Sequence, residues 1–188
     1  MKIPILGMDP SLRNWGLASA QLDLTTGIMD DPVLELVLPK DAEGKQVRQN
    51  SSDLYLAEQI ASVVIPKAQA AKVVFVEVPV GSKSARAMAS YGVCVGVLGA
   101  VRALGIPLIE VTAMETKKAL SGNKLATKRN MIDAGVALYP SSNWTAFYPG
   151  QQNGIPDKAE HVADAIGAIH AGVLTSTFQN LMRLFQKV

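Results

Sequence analysis

The sequence predicts an α/β domain built on a five-stranded mixed sheet with helices on both faces, with residues 1–188 forming one unit. Three strand-like segments crowd into the first forty residues. Two further strand-like segments, the Val/Phe run Val73–Val78 and Pro107–Val111, follow later, each preceded by a helical stretch. Strands that come first can form a meander, and strands reached through helices join it in parallel by right-handed crossovers. A chain of 188 residues also suits a single domain, for which roughly 100–200 residues is usual.

The opening strands are Ile3–Asp9, Trp15–Asp23 and Val33–Leu38. Pro10, Ser11 and Asn14 mark the first turn, and Thr25-Thr26-Gly27 with Asp30-Asp31-Pro32 mark the second. Residues 39–50 are polar and read as loop. Ser52 or Asp53 is placed to cap a helix running to about Ala71. Val73–Val78 has the Val/Phe content of a strand buried on both faces. A helix rich in Ala and Gly is expected over Ser84–Leu104, then the strand Pro107–Val111. Thr112 and Glu115 form a capping box for a helix ending near Gly122, and another helix is expected over Leu125–Leu138. Residues 140–155 read as a mobile loop. Pro156, at a first helical position, opens a helix to about Gly172, and Leu174–Val188 reads as a short amphipathic helix.

Composition narrows the class of protein. Apolar residues make up 48% and charged residues 18%, a globular balance. The single cysteine, Cys94, excludes an internal disulfide framework and fits a reducing compartment. Its apolar setting implies a buried, inert thiol. The longest apolar stretch, Tyr91–Ala103, contains Arg102 and is shorter than the ~20 residues a bilayer span needs. Pro4 and Asp9 interrupt the N-terminal apolar run, so no signal peptide is expected, and the protein is expected to be soluble and cytoplasmic. Net charge is only +2, but it is unevenly spread. Residues 23–58 carry eight acids and three bases, and the rest carries fifteen bases and eight acids. That asymmetry suits an anionic polymer substrate, although a scattered, solvated surface would read the same way.

The carboxylates carry the chemistry. In the first strand Ile3, Ile5, Gly7 and Asp9 share one face, while Pro4, Leu6 and Met8 share the other. Asp9 therefore ends its strand, with Gly7 expected to leave space for an ion or phosphate. Pro4 cannot donate to a ladder, so pairing on its side should begin after it. Glu77 ends the Val73–Val78 run in the same manner. Two acids at the carboxyl ends of buried strands repel each other unless a cation lies between them. Strand-end acids facing water are the alternative.

His161 and Asp164 lie three apart on a helix whose other residues, Val162, Ala163, Ala165 and Ile166 among them, are small or apolar. A polar pair on so closely packed a helix implies use as ligands, although a core or capping histidine is the ordinary alternative. Asp157 and Glu160 fall in the first turn, where the helix dipole favours acids, and this accounts for them better than a metal role. Asp9, Glu77, His161 and Asp164 thus form the candidate catalytic and metal-binding set. They suit two Mg2+ or Mn2+ ions about 3.5–4 Å apart that clamp a scissile phosphate. With imidazole among the ligands, Mn2+ should serve better than Mg2+. No nucleophile elbow, Walker loop or zinc-type Cys/His spacing competes with this reading.

Together these pieces resemble the RuvC family of Holliday-junction resolvases, which have an RNase H-like fold. The opening Ile5-Leu-Gly-Met-Asp9-Pro-Ser-Leu-Arg-Asn-Trp-Gly16 looks like the family's first-strand motif. Glu77 stands where the family has its second carboxylate, at a similar spacing from Gly92 of the small-residue helix. Thr116-Lys117-Lys118-Ala-Leu-Ser-Gly122, with Ala126-Thr-Lys128, is similar to its basic segment, and His161-Val-Ala-Asp164-Ala resembles its closing motif. The resemblance covers about residues 3–172. It implies metal-dependent nicking of four-way or other branched DNA by a homodimer joined through the Ser84–Leu104 helix. It further implies Lys117 and Lys128 near the cut phosphate, within a set of basic DNA contacts comprising Lys83, Arg86, Lys117, Lys118, Lys128 and Arg129.

The chain departs from the family in two respects. Val80 stands near the position where the family often carries a junction-wedging aromatic. The acidic segment 23–53 and the 140–155 loop also exceed a minimal bacterial member, which fits a phage-type resolvase acting on several branched DNAs. An RNase H-like nuclease of the YqgF type acting on RNA, and a non-catalytic junction-binding module, are the alternatives. The small residues Ser90, Gly92, Gly96, Gly99 and Ala103 imply close helix packing, either within the core or across a two-fold axis. Sugar-kinase and actin-like ATPases share the opening motif, but 188 residues leave no room for their second lobe.

Overall fold

A computed structural model describes residues 1–41, 48–147 and 154–185. Five strands, β1 (Lys2–Asp9), β2 (Trp15–Asp23), β3 (Val33–Val37), β4 (Val73–Glu77) and β5 (Leu108–Val111), form one sheet in the order β3-β2-β1-β4-β5. β1, β2 and β3 are an antiparallel meander, whereas β4 lies parallel to β1 and β5 parallel to β4. The Pro4 carbonyl accepts from Lys72 N on the β4 side, and the β1–β4 ladder begins only at Ile5. The missing donor of Pro4 sets where that ladder starts.

Helices α1 (Gln49–Ala70) and α2 (Ala85–Ala103) cover one face. Leu6, Met8, Val74 and Val76 point there, against Leu56, Ile60, Val64, Cys94 and Val101. Helices α3 (Ala113–Ser121), α4 (Lys128–Leu138), α5 (Glu160–Gly172) and α6 (Ser176–Phe185) cover the other, over Ile5, Phe75, Ile109 and Val111. The four residues Val73–Val76 are fully buried, so each apolar side chain contributes about 1.5–3 kcal/mol from removal from water. The two faces of β1 sort as the alternation requires. Cys94 is buried and its thiol is pushed up to about 12, mainly by burial.

Several local expectations are corrected. α1 starts at Gln49, before Ser52 and Asp53, and its N-cap Arg48 makes no side-chain cap bond. Asp53 does not cap because its carboxylate is held inside the helix by Arg86 of α2 at 2.7 Å and Gln49 at 3.0 Å. α4 begins at Lys128 because Thr127 and Asn130 form its capping box, which leaves Leu125 outside the helix. Pro156 precedes a 3-10 turn, Asp157–Ala159, and α5 proper starts at Glu160.

The predicted mobile loop 140–155 is anchored in its first half. Trp144 lies buried in a 3-10 turn, Trp144–Phe147, with Nε1 donating to the Tyr139 carbonyl. The Asn143 side chain accepts from Leu34 N at 2.7 Å and donates to Leu34 O at 2.9 Å, so it occupies the outer edge of β3. Residues 148–153 of that loop, 42–47 of the 39–50 loop and 186–188 of the tail lie outside the described residues. Among the described residues, no helix is long and apolar enough to cross a membrane.

Candidate active site

The site forms where the carboxyl ends of β1 and β4 meet the first turns of α5. Met8 pairs with Val76, so the next residues, Asp9 and Glu77, leave adjacent parallel strands side by side. α5 crosses over them at very short range, and two glycines make this possible. A Cβ on Gly7 would lie 2.1 Å from the Ala165 carbonyl oxygen, and one on Gly16 would lie 2.0 Å from that of His161. Gly7 therefore admits the helix backbone, which fills the space expected for an ion or phosphate. The same close approach recurs at the far end of α5, where Gly172 lies against the Phe75 ring.

This packing aims the polar face of α5 at the strand ends. His161 Nδ1 lies 2.5 Å from Asp9 Oδ2, which fixes the ring and leaves Nε2 as its free nitrogen. Asp164 Oδ1 is fully buried and has no hydrogen-bond partner among the described residues. Burial, followed by the charges of Asp9, Glu77 and Glu160, pushes the Asp164 carboxyl up to about 8. Glu77 is pushed up to about 7 by burial and then by Asp9. Lys117 pulls it the other way, as does Thr116, whose buried hydroxyl lies beside Glu77 without completing a well-formed hydrogen bond. Asp9 is raised by burial, which outweighs the opposing effect of His161. Asp9 thus bears on both Glu77 and Asp164 in a desolvated place, and a bound cation is the usual remedy for such crowding.

The donor set fits divalent ions in its chemistry: three carboxylates, one of them with an orphaned buried oxygen, and an imidazole nitrogen. Among the described residues, no three His, Cys, Asp or Glu side chains converge at metal-ligand spacing. Two of the acids there instead have partners of their own. Asp9 holds His161, and Glu160 is ion-paired with Lys128 of α4.

Glu160 is the residue that sequence reasoning assigned elsewhere. Its side chain is only 13% exposed, so it belongs to the site wall rather than to a solvated helix terminus, whereas Asp157 is exposed. The signal was available: Glu160 and Asp164 are four apart and share a helix face.

The basic residues separate by position. Half-buried Lys117 acts on both Glu77 and Asp164, and Lys128 reaches Glu160, so both border the site. Lys118 lies with Ala171, Leu174 and Thr175, at the opposite end of α5. Arg129 is bound to the Ile155 carbonyl at 3.0 Å and Asp133 at 2.7 Å. Lys83 is exposed beyond β4, on the stretch that also carries Val80, which is 84% exposed. Arg86 has a structural partner of its own. Its guanidinium grips Asp53 with two bonds of 2.7 Å, joining α2 to α1 and holding the Asp53 carboxyl below the usual range.

No protein-family model matches the chain, and no curated protein sequence matches it. Solved structures do. Thermus thermophilus RuvC in complex with a Holliday junction substrate superposes with a TM-score of 0.58 at 19% identity, covering 90% of this chain and 92% of that one. A second Thermus thermophilus RuvC structure gives 0.58 at 18% identity, with 95% and 96% covered. The strand order, the mixed pairing and this superposition along nearly the whole chain agree: the protein has the RuvC fold, an RNase H-like five-stranded sheet with helices on both faces.

Proposed function

We propose that the chain, as one nuclease domain over residues 1–188, is a divalent-metal-dependent endonuclease that nicks four-way junctions and other branched DNA. One observation carries the reading: Asp9 and Glu77 end adjacent parallel strands beneath the first turns of α5, where the Asp164 carboxylate is buried with one oxygen unpartnered among the described residues, and burial raises all three acids. A fold rarely buries such acids without a use for them. The likeness to a RuvC bound to a Holliday junction supports the choice of substrate class.

Asp9, Glu77, Asp164 and His161 would hold two Mg2+ or Mn2+ ions. When bound, such a pair supplies water activation and stabilisation of the charge that develops on the leaving 3′ oxygen. The chain's own groups do the rest. Asp9 fixes the His161 ring through Nδ1, which leaves Nε2 to serve as a ligand. Lys117, beside Glu77 and Asp164, offsets their charge and is placed to hold a phosphate. Lys128 supplies a second cation at the rim, and exposed Lys83 a third.

The unpartnered face of α2 supports a homodimer. Gly92, Gly96 and Gly99 have open space where a Cβ would stand, and Met88 and Val95 are 46% exposed beside them. Of the two packings that the small residues allowed, the core is thereby disfavoured. A two-fold partner there would place two sites on the two strands of a junction.

The test is incubation with Mg2+ or Mn2+ and a panel of four-way junction, flap, fork, linear duplex and RNA duplex. Metal-dependent nicking concentrated on the branched DNAs is expected. Preference for the RNA duplex, or junction binding with no cleavage under either metal, overturns the proposal.

A further inference from the structure

Four side chains stand in a row across the site. Asp9 contacts His161 Nδ1, His161 Nε2 lies 3.9 Å from Glu160 Oε1, and the same Glu160 oxygen is ion-paired with Lys128 Nζ. The two ends of the row differ. Asp9 and Glu160 are each 13% exposed, whereas Lys128 is 63% exposed. A buried carboxylate is thus neutralised by a lysine that reaches in from the solvent side. The lysine comes from the first residue of α4, and the acid from the first residue of α5. Glu160 also bears on both Asp9 and Asp164, so its charge is felt inside the carboxylate cluster.

In this arrangement Lys128 cannot serve a phosphate fully while it serves Glu160, nor is Glu160 available to a cation. We propose that Glu160 is a positioning residue that withholds Lys128 from nucleic acid in the unbound protein. Substrate and cation arrive by partner exchange, Lys128 passing to a phosphate while Glu160 turns its charge to the cation site. The inference rests on the proposed nuclease function and adds to it a coupling between the two binding events. Glu160 also returns to the site the negative charge that His161, as a neutral ligand, does not bring. Coupling of this kind is reciprocal, because whatever frees one partner of an ion pair frees both.

The experiment measures binding of a fluorescent four-way junction in EDTA across a salt series, for the wild type, E160Q, K128Q, the double variant and D157N. E160Q preserves side-chain shape, K128Q replaces the cation with a shorter neutral polar chain, and thermal melting confirms folding. E160Q is expected to tighten metal-free binding several-fold and to steepen the log–log salt dependence by about 0.9, the slope of one phosphate contact. In the K128Q background the same substitution should change neither quantity. D157N removes an equal charge from an exposed neighbouring site and should act weakly.

Calorimetric titration with Mn2+ alone gives the second arm: K128Q should bind it more tightly than the wild type, and E160Q more weakly. An unchanged E160Q affinity and slope, or an equal gain in the K128Q background, overturns the exchange while leaving the nuclease reading intact. Failure of the wild type to bind any branched DNA, with or without Mn2+, removes both.

Discussion

The carbonyl oxygen of His161 occupies the place where a side chain on Gly16 would begin, and Gly16 is the cross-strand partner of Asp9. The hairpin that carries the first carboxylate therefore also seats the helix that carries the histidine. Gly16→Ala would set a methyl against a backbone atom with no free rotamer to escape. A loss on the order of 3 kcal/mol is expected, lowering the melting temperature by roughly 6–12 °C. Because α5 must lift, cleavage should fall further than stability at a temperature where the variant is still folded. A thermal melt and a nicking assay on the same preparation check both, and a wild-type melt would mean the contact is not made.

Removing charge from the cluster should separate chemistry from binding. Asp9→Asn, Glu77→Gln and Asp164→Asn are each expected to nearly abolish nicking while leaving junction affinity in EDTA unchanged or slightly improved. Gel-shift and cleavage assays on the same junction decide this. Full activity in Glu77→Gln would exclude it from the site.

The same acids predict an inverted pH dependence of stability in the metal-free protein. Glu77 and Asp164 have folded pKa values of about 7 and about 8, above their ordinary values of 4.5 and 3.8. Between roughly pH 4 and 8 the folded state therefore holds more protons than the unfolded one, so stability drops as pH rises. The melting temperature in EDTA should be higher near pH 5 than near pH 8. Asp164→Asn should raise it at pH 8 and flatten the profile, and saturating Mn2+ should do likewise in the wild type. A profile that rises with pH up to 8 in EDTA would contradict the shifts.

In the proposed site, His161 would govern the choice of metal. Imidazole is better tolerated by Mn2+ than by Mg2+, so the wild type is expected to cleave faster with Mn2+. His161→Asp should keep activity and move the preference towards Mg2+, whereas His161→Ala should lose most of the rate under both. Metal titrations of cleavage for the three proteins test this, and identical Mg2+ and Mn2+ curves throughout would remove His161 from the site.

Arg86 and Lys117 should part company. Arg86 is bound to Asp53, which is 6% exposed, so Arg86→Ala strands a carboxylate between α1 and α2 and should lower the melting temperature. Its salt dependence of junction binding should match the wild type. Lys117→Ala should lower the salt slope by about 0.9. A reduced slope in Arg86→Ala would restore it as a phosphate contact.

Local physics was legible in the chain itself. The alternation in Ile3–Asp9 placed Asp9 at a strand end, Val73–Val76 announced a strand covered on both sides, and Thr112 with Glu115 marked a helix start, because each depends on neighbours within a few residues. The i, i+3 spacing likewise put His161 and Asp164 on one face. Tertiary structure decided which partners these residues and their neighbours acquired. Asp53 could cap its own helix or bind across to α2, and a guanidinium 33 residues away settled it. Glu160 looked like a helix-terminal charge until α4 brought Lys128 to it, and Gly7 looked like space for a ligand until α5 filled it. Residues 140–147 looked mobile until Asn143 found the edge of β3. Contacts between elements far apart in sequence depend on how helices cross the sheet, and that crossing is set by the whole core, which no local pattern encodes.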